Sequence, residues 1–154
     1  LSSEALALAR EIGDRKAEAR ILWTQMLFHI YGSGDGQAGV ACGEESLKIL
    51  RELSAQPAFA HDRAVREQLA YTLNDLLYVY IQRSRLVLGL ATRQEARDLW
   101  RELDNKPMLA IVQEKLPEVF GLAGAKCDAL GYCPEGVAFT CGKYPLKEEV
   151  IQGR

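Results

Sequence analysis

The feature that most narrows what this chain can fold into is a duplicated corner. REIGDRKAEA at residues 10–19 and RELDNKPMLA at residues 101–110 have the same build, 91 positions apart. In the first copy an apolar helical pattern ends at Ile12. Gly13 follows, where a left-handed residue is least costly, and Asp14 can cap the next helix. Arg51-Glu52-Leu53 is a third copy of the corner's opening, with a long loop inserted before its second half. Two periods in 91 positions make repeats of somewhat over forty residues, the length of a helix pair.

The segments between corners read as helices. Leu1, Ala5, Leu8, Ala9 and Ile12 form one predicted apolar face, and Ala19, Trp23, Met26, Leu27 and Ile30 form the stripe of a second helix, about Arg15 to Tyr31. Three glycines within Gly32–Gly36 break it. A third helix, about Gln37 to Leu53, carries Val40, Leu47, Leu50 and Leu53 and is weakened by Gly39 and Gly43. Ser54 to Asp62, with Pro57, is a loop. From Glu67 to Leu103 two stripes face each other across the polar break Gln82–Arg85. Leu69, Leu73, Leu76, Leu77 and Tyr80 make the first, and Leu86, Leu90, Ala96, Leu99, Trp100 and Leu103 the second. Such a hairpin cannot bury both apolar faces alone and needs similar neighbours.

The joint order of these positions resembles the tetratricopeptide repeat, in the roughly forty-residue form found in large bacterial signalling proteins with ATPase, cyclase or transcription-activator modules. The family's large, large–small and aromatic positions correspond to Leu73, Leu76-Leu77 and Tyr80. Its small positions correspond to Gly89 and Ala96. In the preceding hairpin the counterparts are Trp23, Met26-Leu27 and Ile30, a Gly34-Asp35 turn, then Gly39 or Ala38, and Ser46. The resemblance implies an all-α fold of two to three stacked hairpins, a TPR-like α-solenoid, over residues 1–116. Residues 117–154 depart from the pattern at Pro117 and are expected to form an irregular C-terminal cap or the start of something else. Within that tail, 118–130 and 145–152 are candidate helices.

The chain has 154 residues, 48% of them hydrophobic and 26% charged, enough to bury one core without staples. A formal net charge of −2 excludes a broad phosphate-binding surface, so no nucleic-acid partner is expected. No apolar run reaches the ~20 residues of a membrane helix, and no leader pattern is visible. The cytoplasm is the expected location. Because the chain opens without Met inside a helical pattern, it reads as a piece of a larger protein.

Candidate chemistry is sparse. Cys127, Cys133 and Cys141 are weak metal candidates, since C-x5-C-x7-C lacks the close pair of a zinc or redox motif. Gly32–Gly36 lacks the Lys-Ser/Thr of a phosphate loop. His29 and His61 have no partner at helical spacing, and Glu44-Glu45 and Glu148-Glu149 read as solvated faces. No catalytic set and no cofactor are expected. What remains is a recognition groove, where Tyr71, Asn74, Tyr78 and Gln82 share one helical face and Arg20 and Trp23 are their counterparts in the preceding pair. The expected function is non-catalytic: a protein–protein interaction or regulatory scaffold module that binds a peptide, helix or partner domain, including other domains of the parent chain. The alternatives are a small-molecule effector sensor and a thiol or metal site in the tail.

Overall fold

In the computed structural model of the chain the described residues are 2–83 and 85–114. Among them are six α-helices and no strand: α1 (Ser2–Glu11), α2 (Arg15–Phe28), α3 (Gly36–Ser54), α4 (Arg63–Gln82), α5 (Leu86–Glu102) and α6 (Lys106–Glu114). The expectation of an all-α chain holds for these residues. None of these helices is long and apolar enough to cross a membrane. The tail from 117 onward, its candidate helices and its three cysteines lie outside the described residues.

The two corners share their turn and cap bonds. Gly13 N–H donates to Arg10 C=O and Asp104 N–H to Arg101 C=O, at 3.2 and 3.1 Å. Asp14 N–H reaches back to Ala9 C=O and Asn105 N–H to Trp100 C=O, at 2.9 and 3.0 Å. Gly13 and Asp104 both stand in the left-handed region. The Asp14 carboxylate then accepts from the Ala17 amide, and the Asn105 side-chain oxygen from the Met108 amide, each three residues on. Pro107 sits in the first turn of α6, where a missing N–H costs nothing. In the third corner the loop intervenes, and Asp62 is the cap, accepting from Ala64 and Val65.

The helices form two antiparallel hairpins laid side by side. Ser46 Oγ donates to Ala19 C=O at 2.8 Å, and Gly39 lies against Ile30, so α2 and α3 run in opposite directions. Arg63 Nη2 donates to Leu103 C=O and Tyr71 packs on Trp100, which sets α4 against α5 in the same way. Trp23 meets Tyr71 and Asp75, while Lys16 pairs with Asp62, so α2 and α4 run parallel. Arg51–Glu95, at 2.5 Å, ties α3 to α5. Met26, Leu50, Leu73, Leu76 and Trp100 are fully buried where these layers meet.

Several expectations are corrected. Of the predicted α1 face only Ala9 is buried; Leu8 and Ile12 are 56% and 66% exposed, because among the described residues no helix covers that side, and Leu1 lies outside the described residues. In α2 the buried stripe is Ala19, Leu22 and Met26, with Trp23, Leu27 and Ile30 only partly covered. The missed residue is Leu22, one turn before Met26. The α-helix ends at Phe28, and a five-residue π turn, His29–Ser33, precedes left-handed Gly34. Gly43 is more than a weak point in α3: a Cβ there would come within 2.5 Å of Met26 Sδ and 2.6 Å of Leu76 Cδ2. The glycine lets three helices approach closely.

Candidate functional site

The parallel helices α2 and α4 bring two of the six predicted groove residues, Trp23 and Tyr71, into contact. Trp23 and Tyr71 have ring centroids 6.4 Å apart, and Tyr71 meets Trp100 edge-on at 4.8 Å. Asp75 accepts the Trp23 indole N–H at 2.8 Å, which fixes the ring across the groove. Tyr71 is 37% exposed and Tyr78 half-buried, so both present surface. Asn74 departs from the expectation. It shares their helical phase but is only 5% exposed, because its amide turns toward the packed interior. Its Oδ1 has no hydrogen-bond partner there, and neither does the buried indole Nε1 of Trp100. The side chain of Gln82 lies outside the described residues. Arg20 is exposed further along α2, apart from the aromatic row.

Arg20 lines a second feature, a cleft of about 340 Å³ between α2, α3 and α4 with Leu50, Ala64 and Val65 as its apolar wall. Among the described residues no hydrogen bond or ion pair engages the Arg20 guanidinium. Gln68 Nε2, in the same cleft, is buried without a partner. Both groups are donors, so the cleft suits an acceptor-rich group. Lys16 is already held by Asp62 and lies over the Phe59 ring at 4.7 Å.

The remaining sequence candidates resolve into structural roles. Asp35 accepts from the Gln37 and Ala38 amides at 3.1 and 3.0 Å, occupying the helix N-terminus that a phosphate would need. Those bonds, Ala38's first, hold its carboxyl below the ordinary value. His29 Nδ1 lies 3.3 Å from Ser33 Oγ, but Ser33 Oγ also contacts the His29 carbonyl, and Asp35 is engaged by the helix. The three close the π turn on itself and do not form a nucleophile–base–acid relay. His61 is exposed in the loop. Glu44 and Glu45 are not a merely solvated pair. Glu44 accepts from Tyr80 Oη at 3.0 Å and Arg85 at 3.1 Å, and Glu45 accepts from Arg10 at 2.6 Å. Burial, then the Glu44 bond, pushes the Tyr80 hydroxyl up to about 12. Cys42 is a half-buried thiol pushed up by burial. Among the described residues no group of three His, Cys, Asp or Glu is placed to hold a metal ion.

The sequence reading missed two features. Glu18 is buried beneath Arg10 and Arg15, at 2.8 and 2.6 Å; the spacing Arg15–Glu18 was a visible signal. Arg93 is also buried, donating to Val112 C=O near the C-terminal end of α6. Its guanidinium is held below the ordinary value by burial and then by Arg97. A lone Arg in an amphipathic helix gives no sign of this in sequence.

Over 43 residues the chain is 60% identical to a flavin-dependent thymidylate synthase of Nitratidesulfovibrio vulgaris. That stretch is 28% of this chain and 18% of that enzyme, so the chain spans less than a fifth of the relative it matches. No family model matches the chain, and no solved structure matches it. The shared stretch overturns the expectation of a non-catalytic scaffold module, because the protein that shares it is an enzyme.

Proposed function

We propose that this chain is part of an enzyme, and that the 43-residue segment it shares with the Nitratidesulfovibrio vulgaris protein serves flavin-dependent thymidylate synthesis. The observation that carries this reading is the 60% identity itself. Identity that dense over so long a run reflects a common origin of the segment, since similar composition alone would scatter the matches. The described helices fit the part of a supporting layer. Their polar groups cap helices and tie hairpins together, and none forms a nucleophile–base pair. One trough of about 540 Å³ is rimmed by Glu95, Asp98 and Glu102, like in charge to a nucleotide phosphate. We further read the helices as stacked hairpins of the tetratricopeptide kind, supported by the duplicated corner and the parallel course of α2 and α4.

The test is an exchange. The 43 residues of the Nitratidesulfovibrio vulgaris enzyme are replaced by those of this chain, and thymidylate formation is followed in the purified chimera and in a thymidine-requiring host. Retained synthesis supports the reading. A chimera that folds and binds flavin but forms no thymidylate overturns it.

A further inference from the structure

Two hydrogen-bond donors reach the cleft between α2 and α4 from matching positions. Trp23 meets Tyr71 where these parallel helices touch, and Arg20 and Gln68 each stand three residues earlier. They are the sixth residues of α2 and α4. Both line the cleft of about 340 Å³, to which Ala17, Leu50, Ala64 and Val65 give apolar surface. The other charged groups that line it are committed. Asp14 accepts from the Ala17 amide, and Lys16 is paired with Asp62, which also accepts from Ala64 and Val65. Among the described residues the exposed Arg20 guanidinium has no partner, and Gln68 Nε2 is buried with none.

We propose that this cleft binds a small monocarboxylate with an apolar body, its carboxylate on Arg20 and its body against Leu50, Ala64 and Val65. The planar fork of a guanidinium matches the two oxygens of a carboxylate. A buried amide N–H without an acceptor is a cost that a ligand oxygen removes. The terminal torsion of glutamine is broad, so a turn of the Gln68 amide presents its N–H to the cleft. The volume lies at the lower end of the small-ligand range, which starts near ~300 Å³. Charge selects further. A monoanion is met by Arg20, whereas a phosphate dianion brings a second charge close to Asp14 and Asp62, and Lys16 is already taken. The proposal does not rest on the enzymatic reading.

The probe is sodium hexanoate, titrated into the full chain while its backbone amides are followed by NMR. Saturable shifts are expected at Ala17, Ala64 and Val65, the cleft residues whose amides report on it. Hexan-1-ol, which has the apolar body without the charge, and inorganic phosphate, which has the charge without the body, should bind at least tenfold more weakly. Arg20→Gln should weaken hexanoate at least tenfold and, because Arg20 is exposed, keep the parent's thermal midpoint. Gln68→Leu keeps the size of the side chain and removes its unpartnered N–H. It should weaken hexanoate while leaving the thermal midpoint equal or higher. Absence of saturable shifts in the cleft, phosphate or hexan-1-ol binding as tightly as hexanoate, or equal hexanoate affinity in the parent and either variant overturns the proposal.

Discussion

Gly13 and Asp104 hold the same left-handed backbone, φ 72° and 51°, at equivalent corners 91 residues apart. The corner geometry demands the conformation, and the two sequences meet it differently. Glycine adopts it freely, whereas aspartate does so at a cost.

That difference gives a paired prediction. Gly13→Ala should destabilise the chain by about 1–2 kcal/mol, because it places a Cβ in the left-handed region with no compensating contact. Asp104→Gly should do the reverse, raising stability by up to about 1 kcal/mol after the extra freedom of the unfolded chain is counted. Urea midpoints of the two variants check it. Losses from both would show that the corners are not equivalent.

Gly43 decides how closely α3 approaches α2 and α4. Alanine is the better helix former by about 1 kcal/mol, but its methyl would press on the fully buried Met26 and Leu76. Overpacking costs about 1–3 kcal/mol, so Gly43→Ala should be destabilising overall. A thermal midpoint at or above the parent's would mean that Met26 and Leu76 can move aside freely.

Leu76→Ala should cost about 2–5 kcal/mol, since a fully buried leucine is removed from the junction of three helices. Lys48→Ala, on the exposed side of α3, should stay within about 0.5 kcal/mol. Leu76 is also the side chain that a Cβ on residue 43 would strike, so the Leu76→Ala background should make Gly43→Ala cheaper than it is alone. Strict additivity in the double variant would contradict the described contact.

The repeated corner was legible because cap, turn and helix end are local, and their residue types are dictated by backbone bonds within a few positions. The α4 stripe was legible for the same kind of reason: Leu69, Leu73, Leu76, Leu77 and Tyr80 are all buried, as the helical period requires. The α1 face was misread because periodicity reports which side of a helix is apolar, not whether anything covers it. Asn74 was misread more subtly. Helical phase put it beside Tyr71 and Tyr78, but its short side chain ends inside the layer that those rings overhang. The buried Glu18 and Arg93 depend on partners from other helices, as does the Trp23–Asp75 bond, which joins residues 52 apart. Pattern within one helix cannot specify such pairs.

Glu18 makes the stability of the first corner depend on pH. Its carboxylate is buried, which by itself favours the neutral acid and raises its pKa. The bonds from Arg10 and Arg15 outweigh that burial and hold the group below the ordinary glutamate value. The same two arginines bond Glu45 and Glu52 on α3, so Glu18 anchors the α1–α2 corner to the next helix. A carboxyl depressed in the folded state contributes stability that is fully present above its unfolded pKa and is lost as pH falls through the folded one. Glu18→Gln keeps the shape but weakens both charge-assisted bonds, a loss of about 1.5–3 kcal/mol near pH 7. The gap between parent and variant should begin to narrow as pH falls below the ordinary glutamate value of about 4.3, where the unfolded chain takes up the proton. It should close only below the depressed folded value, where the parent's own glutamate is protonated. Urea titrations of both proteins at roughly pH 7 and pH 3 measure this directly. A difference that stays constant across that range would show that the two arginines do not hold Glu18 in its ionised form.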